Sequence, residues 1–224
     1  MLYFYFCLWQ NNCMDKDNLA YILENKIYIN LTNLCTNACV FCIKNLKDDV
    51  EGRKLFLSSE QHTASDVIEQ VKKLVEQMPE VKEIIFCGYG EPTIKIDILL
   101  EVAKFIKNNY NGIKLRINTN GHANLIHKRD IVPEIKGFID SVSISLNAHN
   151  VKLYEELSQP HVDAKKAYQA LQDFAKACVD AGIDTTMSVV TGYKDYKIDV
   201  KQCEKIATKL GAKFRSREWL PKGY

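Results

Sequence analysis

The chain lacks the compositional extremes that mark non-globular proteins. Its 224 residues include only ten Gly and five Pro, too few for a collagenous or low-complexity chain. Basic and acidic residues nearly cancel, and the net charge of +2 gives no electrostatic argument for a dedicated nucleic-acid-binding protein. An apolar fraction of 46% excludes wholesale disorder. The length suits one ordinary domain or one modest barrel.

Long hydrophobic runs are also missing. The apolar run at residues 1–9 is far shorter than the ~20 residues that a transmembrane helix needs, and it lacks the features of a signal peptide. We therefore predict no transmembrane segment. We also predict an N-terminal extension over residues 1–25 and a folded domain over residues 26–224. The extension has three open interpretations: a strand or lid on the domain, a weak membrane-surface contact, or a non-native start upstream of Met14.

Hydrophobic periodicity predicts strands that alternate with helices. The predicted strands are residues 26–32, 83–88, 114–121, 141–148, 185–192 and 213–220. The clearest helical patterns are residues 65–77, 98–108, 164–181 and 200–210. Repeated βα units require a parallel sheet with right-handed crossovers. A full eightfold barrel typically takes ~250 residues, so we expect a single α/β domain that forms a partial (β/α)6 barrel. A doubly wound open sheet is the alternative.

Polar and glycine-rich residues collect where the predicted strands end. They are Cys35, residues 88–91, residues 118–121, Asn147 and Gly192. In both candidate folds the ligand site lies at the carboxyl ends of the strands. This distribution therefore predicts an active site at one rim of the sheet.

Three of the eight cysteines lie close together, as Cys35, Cys39 and Cys42 in a C-x3-C-x2-C pattern. Three thiolates on one loop can hold three irons of a 4Fe–4S cluster and leave the fourth iron open. Zinc normally needs a second Cys or His pair, and the five His residues are scattered. The spacing favours a 4Fe–4S cluster in a reducing, cytoplasmic environment, with zinc or free core cysteines as alternatives.

This loop resembles the cluster motif of the radical S-adenosylmethionine (SAM) superfamily, because an aromatic residue, Phe41, precedes the last cysteine and a strand precedes the loop. The resemblance implies that SAM binds the open iron. It also implies that the reduced cluster cleaves SAM to a 5′-deoxyadenosyl radical, which abstracts hydrogen from a substrate. An electron donor of the flavodoxin or ferredoxin type is the implied partner.

The turn after the second predicted strand, Gly88-Tyr89-Gly90-Glu91, is followed by Pro and resembles the GGEP motif of that superfamily. Glycines let a backbone approach a ligand closely, and their carbonyls can accept hydrogen bonds from the SAM ammonium group. An ordinary tight turn is the alternative. The family pattern varies here, so the carbonyl that binds the amino group is left open.

Further residues are assigned to SAM by their places in the same resemblance. They are Phe41, Asn118 and Asn120 of the TNG-like strand end, Ser143, Ser145 and Asn147 on the fourth strand, and Val190 on the fifth. The spacing of two in the fourth strand predicts that its three polar residues share one face. Buried unpaired hydroxyl and amide groups are costly, so a polar ligand is expected in front of that face.

Three arginines are candidates for contact with the substrate. Arg215 and Arg217 share one face of the last predicted strand, and Arg116 lies on the third. Inward arginines near the rim can bind a carboxylate or phosphate, whereas surface ion pairing is the alternative.

The start of the cysteine segment and residues 217–224 together resemble the small TatD family-associated radical SAM proteins. The core also resembles small activases and a deazapurine ring-contracting enzyme. Two other functions stay open: a glycyl-radical activating enzyme that acts on a protein partner, and an iron–sulfur electron carrier without SAM turnover. The sequence does not identify the substrate, which can be a small molecule or a protein.

Overall fold

The protein is described by a computed structural model that covers residues 17–47 and 49–219. The strands are β1 Ala20–Leu23, β2 Lys26–Ile29, β3 Asp49–Val50, β4 Arg53–Lys54, β5 Glu83–Phe86, β6 Lys114–Thr119, β7 Ser141–Ser145, β8 Asp184–Thr191 and β9 Lys213–Glu218. The helices are α1 Ala64–Gln77, α2 Ile96–Asn109, α3 Ala123–His127, α4 Val132–Ile135, α5 Val151–Ser158, α6 Ala164–Asp180 and α7 Val200–Lys209.

Seven strands form the main sheet in the order β1-β2-β5-β6-β7-β8-β9. Strand β1 is antiparallel to β2, and all later neighbours are parallel. The six parallel strands follow chain order without a reversal, so the doubly wound alternative is wrong and the partial α/β barrel is confirmed. Among the described residues the sheet stays open, because β1 and β9 are its two edges.

The strands alternate between two faces with different chemistry. One face packs under the helices, and its buried side chains on β5 to β8 are Ile84, Phe86, Leu115, Ile117, Val142, Ile144, Met187 and Val189. Helix residues such as Val67, Leu99 and Leu171 belong to the same core. The alternate positions, which include Arg116, Asn118 and Ser143, point to the inside of the barrel and are mostly polar, with Ile85 and Val190 as apolar members. The inner face is therefore where a polar ligand can be held.

Capping side chains set where the helices begin. Thr63 and Asp66 form a reciprocal capping box at the start of α1. Asn150 caps α5 and Asp163 caps α6 by accepting hydrogen bonds from backbone N–H groups. These bonds satisfy donors that a helix leaves unpaired in its first turn.

Several elements differ from the sequence expectation. Strand β1 lies within the segment predicted as an extension, so the sheet begins before residue 26. Helix α5 and the short β3–β4 hairpin were not expected. The first parallel strand ends at Ile29 rather than at residue 32, and the side-chain amide of Asn30 donates to the Leu55 carbonyl at 2.6 Å. The apolar run 1–9, Met14 and residues 220–224 lie outside the described residues.

No helix in the described part of the chain is long and apolar enough to cross a membrane.

Truncation of a helix-facing phenylalanine tests the layer assignment. Phe86 is fully buried, so Phe86→Ala should lower the free energy of unfolding by about 3–5 kcal/mol, as cavities in cores do. Phe56 is 62% exposed, so Phe56→Ala should change the free energy of unfolding by no more than about 0.5 kcal/mol. Urea denaturation of the two variants and the wild type measures both changes in the free energy of unfolding. Equal losses of stability in Phe86→Ala and Phe56→Ala would contradict the placement of Phe86 in the core under the helices.

Candidate functional site

The cysteine loop follows β2 and carries Cys35, Cys39 and Cys42, all half-buried with free thiols. Among the described residues, no three Cys, His, Asp or Glu side chains converge closely enough to hold a single metal ion. A cubic cluster takes one thiolate for each iron, so its three ligands need not meet at one point, and three thiols on one loop suit that group.

Two thiols of the loop have raised pKa values. Burial, followed by the charge of Glu91, raises the pKa of Cys35 to about 11. Burial also raises the pKa of Cys39 to about 12. Metal ligation needs thiolates, so loading of iron on this loop must release protons.

The end of α5 holds the cysteine loop in place. The Ala38 N–H donates to the Ser158 carbonyl at 3.0 Å, and the Val40 N–H donates to the Leu157 carbonyl at 3.0 Å. The last carbonyls of a helix have no partner within the helix, and here the loop supplies donors to them. The loop is thus fixed on both sides of Cys39 by a helix that lies more than 100 residues later in the chain.

A buried histidine connects the loop to α5. Asn37 donates to the Tyr154 hydroxyl at 3.3 Å, and that hydroxyl lies 3.0 Å from His122 Nε2. We infer that Tyr154 donates to Nε2, so Nδ1 carries the ring proton and donates to Thr36 Oγ1 at 2.9 Å. Asn120 Nδ2 also donates to Thr36 Oγ1, at 2.8 Å. Burial lowers the pKa of His122 to about 4, so the ring is neutral at pH 7.

Glu91 is buried and joins two strand ends. One carboxylate oxygen accepts from the hydroxyls of Thr93 and Thr119, at 2.7 and 2.8 Å, and the other accepts from the Asn120 N–H at 2.7 Å. The Glu91 N–H donates to the Leu34 carbonyl at 2.8 Å. Burial raises the pKa of this carboxyl group. Glu91 therefore ties the turn after β5 to both the end of β6 and the cysteine loop.

The two glycines of the turn are required by close packing against the chain that leads into the cysteine loop. A Cβ on Gly88 would lie 1.9 Å from Asn30 Oδ1. A Cβ on Gly90 would lie 2.3 Å from the Thr32 carbonyl oxygen and 2.4 Å from that of Leu34. No side chain fits at these distances, so the glycines let the two segments meet.

Tyr89 lies between these glycines and points away from them. Its hydroxyl donates to the Lys47 carbonyl at 2.8 Å. Its ring packs in a second small core with Tyr21, Val50 and Leu55. Its side chain thus anchors the β3–β4 region, and only its backbone is near the rim.

The end of β6 supplies a donor to a cluster cysteine. Asn120 Nδ2 lies 3.8 Å from Cys35 Sγ, and the Asn37 N–H lies 3.4 Å from the same sulfur. Asn118 lies two residues earlier, on the inner face, and its Oδ1 is buried without a hydrogen-bond partner in the described residues. The structure thus brings Asn120 to the cysteine loop and leaves Asn118 facing the inside.

Strand β7 carries two of the three polar residues predicted to share a face. Ser143 and Ser145 lie on the inner face, in register with Thr186 and Ser188 of β8. The prediction is wrong for Asn147, which lies after the strand ends and has a left-handed backbone with φ 61°. Its amide donates to Ser158 Oγ at 3.0 Å, so it holds the end of α5.

Aromatic rings line the loop on the β8 side. Phe41 lies 6.0 Å, centroid to centroid, from Tyr193, whose hydroxyl donates to the Val40 carbonyl at 2.7 Å. Trp219 packs on the other side of Tyr193, at 5.1 Å. Val190 is buried and lies on the inner face of β8, opposite Arg217. Contact of Phe41 and Val190 with adenine stays a prediction.

The arginines divide between the two ends of the inner face. Arg116 forms an ion pair with Glu83 at 3.4 Å, close to the amino-terminal end of β5. Arg215 and Arg217 both lie on the inner face of β9, and burial together with the charge of Arg215 lowers the pKa of Arg217. The shared face predicted for these two residues is confirmed.

A singly wound partial barrel with three cysteines on the loop after its first parallel strand defines the protein as an iron–sulfur barrel. The chain belongs to the Radical SAM superfamily, whose family model matches residues 29–204. Members of this superfamily bind a 4Fe–4S cluster and SAM.

Two curated relatives illustrate the range of similar proteins. The probable dual-specificity RNA methyltransferase RlmN of Caldanaerobacter subterraneus is 30% identical over 181 residues, which cover 77% of this chain and 46% of that protein. The tungsten-containing aldehyde ferredoxin oxidoreductase cofactor-modifying protein of Pyrococcus furiosus is 32% identical over 98 residues, 42% of this chain and 23% of that protein. This chain spans about half the length of the RlmN relatives that it matches.

Two solved structures share the fold. Streptococcus suis SuiB bound to its precursor peptide SuiA aligns with a TM-score of 0.62 at 19% identity, over 86% of this chain and 39% of SuiB. Native anSMEcpe with bound AdoMet aligns with a TM-score of 0.60 at 16% identity, over 86% of this chain and 51% of anSMEcpe. At these identities the similarity supports the fold alone.

Sequence reasoning missed several residues that hold the site. They are Thr36, Asn37, His122, Tyr154, Ser158 and Tyr193. His122 directly follows the TNG-like turn, and Tyr193 directly follows Thr191-Gly192, so both lie at strand ends where functional residues were expected. No sequence pattern marks the other four residues, because their roles depend on the contact of α5 and its neighbours with the cysteine loop.

The buried histidine gives a pH dependence with a defined sign. The pKa of His122 falls from 6.5 in the unfolded chain to about 4 in the folded one, so its contribution to stability is complete above pH 6.5 and is lost as pH falls toward 4. This loss is about 3 kcal/mol in the free energy of unfolding.

The measurement is urea denaturation of the cluster-free protein between pH 7 and pH 4. His122→Gln should be less stable than the wild type at pH 7 and should lose less stability on acidification. His161 has an exposed ring, and His161→Gln should follow the wild-type profile. If the free energy of unfolding of His122→Gln falls with pH as steeply as that of the wild type, the ring of His122 is not buried in its neutral form.

Proposed function

We propose that this protein is a radical SAM enzyme. The bound, reduced cluster would supply an electron that breaks the bond between the SAM sulfur and C5′, to give methionine and a 5′-deoxyadenosyl radical that would take a hydrogen atom from a substrate. The observation that carries the proposal is the cysteine loop, whose backbone is held by α5 and by the turn at Glu91 and whose Thr36 contacts His122. A carrier that only stores electrons has no use for the polar inner face beside this loop.

The residues at the rim suit distinct parts of SAM. Cys35, Cys39 and Cys42 would hold three irons and leave one iron for the amino and carboxylate groups of SAM. Backbone carbonyls of residues 88–90 would accept from the SAM ammonium group. The hydroxyls of Ser143 and Ser145 would bond its polar groups, and Phe41 and Val190 would contact adenine.

Two neighbours of Cys35 would act on the cluster rather than on SAM. The Asn120 amide and the Asn37 N–H both donate toward the Cys35 sulfur. Hydrogen bonds to cluster sulfurs raise the reduction potential, because they stabilise the more negative reduced state. Glu91 would position Asn120 through the backbone, and its four accepted hydrogen bonds leave it little capacity to bind SAM directly.

Removal of one cluster ligand tests the proposal. After anaerobic loading with iron and sulfide, the wild type with dithionite and SAM should form 5′-deoxyadenosine over several turnovers per cluster. Cys39→Ala should lower that rate by at least a hundredfold, because the cluster loses one of three protein ligands. Cys178 is buried in α6, away from the loop, so Cys178→Ala is the control and should retain the wild-type product yield. Product formation by Cys39→Ala at the wild-type rate would overturn the proposal.

The same assay separates the other candidate functions. A cluster that forms without any 5′-deoxyadenosine would favour the electron-carrier function or an enzyme that needs a protein partner, such as a glycyl-radical activating enzyme. The relatives named RNA methyltransferases favour methyl transfer as a second reaction. Transfer of the SAM methyl group leaves S-adenosylhomocysteine, so chromatography of both products with and without added RNA distinguishes the two chemistries.

We further propose that an acidic electron carrier of the flavodoxin or ferredoxin type docks beside the cysteine loop. Three exposed apolar side chains surround this place, namely Leu34, Leu46 and Phe56, at 53%, 47% and 62% exposure. Lysines 44, 47 and 54 line a depression next to Phe56. Basic residues around an apolar centre complement an acidic partner and accelerate its association.

Charge reversal on this surface tests the docking site. Flavodoxin should reduce the cluster of a Lys47→Glu/Lys54→Glu variant on the order of tenfold more slowly at low salt, because the attraction between the lysines and the acidic carrier is lost. The reduction rate of this variant should also depend less on salt. Reduction by dithionite should not change. Lys165→Glu, on the exposed face of α6, is the control. The rate of cluster reduction by flavodoxin is measured by stopped-flow absorbance. Equal rates in the wild type, the double variant and Lys165→Glu would contradict docking at this surface.

A further inference from the structure

Cys39 lies against the last turn of α5, between the two backbone contacts that tie the cysteine loop to that helix. The N–H groups of its two chain neighbours donate to the carbonyls of Leu157 and Ser158. The Ser158 side chain is fully buried, so its hydroxyl takes its hydrogen bonds from protein groups rather than from bulk water. Ser158 is therefore the polar side chain that the end of α5 places beside this cysteine.

A second residue sets the direction of the Ser158 hydroxyl. The Asn147 amide donates to Ser158 Oγ at 3.0 Å, so this oxygen is an acceptor there and its own proton points elsewhere. Asn147 is buried and has a left-handed backbone just after β7, with φ 61°. Asparagine is one of the few residues besides glycine that adopts this conformation routinely. One side chain thus satisfies both the turn after β7 and the oxygen of Ser158.

Two acceptors lie within reach of the Ser158 proton. Burial raises the pKa values of Cys39 and Tyr154, and a hydrogen bond with Ser158 opposes the increase in each case. An iron ligand is a thiolate, and hydrogen bonds to ionised acceptors are roughly twice as strong as those to neutral ones. In the cluster-loaded protein the Ser158 proton therefore favours the Cys39 sulfur over the neutral Tyr154 hydroxyl.

We propose that Asn147 and Ser158 form a hydrogen-bond relay to Cys39, the Asn–Ser relay, that raises the reduction potential of the 4Fe–4S cluster. Reduction adds one electron to the cluster, and a donor to a ligating sulfur stabilises the more negative reduced state. Asn147 and Ser158 would be positioning residues that act through Cys39 without contact to SAM. The relay is separate from the two donors to Cys35, because its residues come from α5 and the end of β7. It needs the cluster and does not need SAM cleavage.

The midpoint potential of the cluster tests the Asn–Ser relay without SAM. The protein is loaded anaerobically with iron and sulfide, and the iron content per chain is measured first. The cluster is then titrated with dithionite in the presence of redox mediators, and the electron paramagnetic resonance signal of the reduced state gives the midpoint potential. Electron–nuclear double resonance in H2O and in D2O detects exchangeable protons close to the cluster.

Ser158→Ala removes the donor to Cys39, so the equilibrium constant for cluster reduction should fall about tenfold, which is about 59 mV for one electron. One exchangeable proton should also disappear from its double-resonance spectrum. Ser158→Thr keeps the hydroxyl and should have a potential close to that of the wild type.

Asn147→Gly removes the amide from the relay and keeps a residue that suits the left-handed backbone. Its potential should shift in the same direction as that of Ser158→Ala, by a smaller amount, because the Ser158 hydroxyl remains but is no longer oriented. Ser65 is exposed on α1, and Ser65→Ala is the control that should keep the wild-type potential.

Three results would overturn the proposal: a wild-type potential in Ser158→Ala, a wild-type potential in Asn147→Gly, or equal shifts in Ser158→Ala and Ser158→Thr. The last result would indicate a loss of packing rather than the loss of a donor. The result for Asn147→Gly decides the matter if Ser158→Ala does not load iron.

Failure of the proposed function gives a different result, because the potentials shift as expected while no 5′-deoxyadenosine forms from SAM. Conversely, SAM cleavage by the wild type together with unchanged potentials in the variants removes the Asn–Ser relay and leaves the proposed function standing.

Discussion

The rim of this barrel depends on one buried carboxylate. Glu91 accepts hydrogen bonds from the residues that end β6 and from the turn that follows β5, and its own N–H holds the chain just before Cys35. An ionised group in a protein interior is costly unless donors replace water, and several donors do so here. Three segments that are distant in sequence are thereby held within hydrogen-bond distance of each other, and each borders the cysteine loop.

Helix α5 is the second element that holds the cysteine loop in place. Helix α5 supplies its last carbonyls to the loop, and Tyr154 reaches the loop through His122 and Asn37. These hydrogen bonds restrict the loop, because breaking one of them leaves a buried polar group without a partner. The loop is therefore held both by α5 and by Glu91, and iron binding would release the protons of the Cys35 and Cys39 thiols.

The division of the sheet into an apolar and a polar face connects stability with function. The side chains under the helices form a continuous core that stabilises the barrel. The alternate side chains are serines, asparagine and arginines, which add little to a core and leave donors available on the inside. The open edge between β1 and β9 within the described residues gives this inner face a side that is not closed by the sheet. Radical chemistry needs such an enclosed but reachable space, because the reactive species must meet substrate before solvent.

The sequence by itself determined the six parallel strands, their chain order and the three cysteines at the first strand end. These are local properties: alternation within a strand, helical spacing, and short motif distances are all set by neighbours in the chain. It also placed Ser143 and Ser145 on one face of their strand, and Arg215 and Arg217 on one face of theirs, since period-two alternation holds wherever the strand continues. The same rule was wrong for Asn147 because the strand ends before it, and no local pattern marks that end.

Only the tertiary structure decided the roles of Glu91, His122 and α5. From the sequence, the Glu91 side chain can be a surface charge or a cofactor ligand. In the structure it is buried and accepts hydrogen bonds from Thr119 and Asn120, which come from another strand. The need for glycine at position 90 also comes from a non-local contact, with Thr32 and Leu34. Contacts between residues far apart in sequence depend on how complete elements pack, and a single sequence carries no local signal for them.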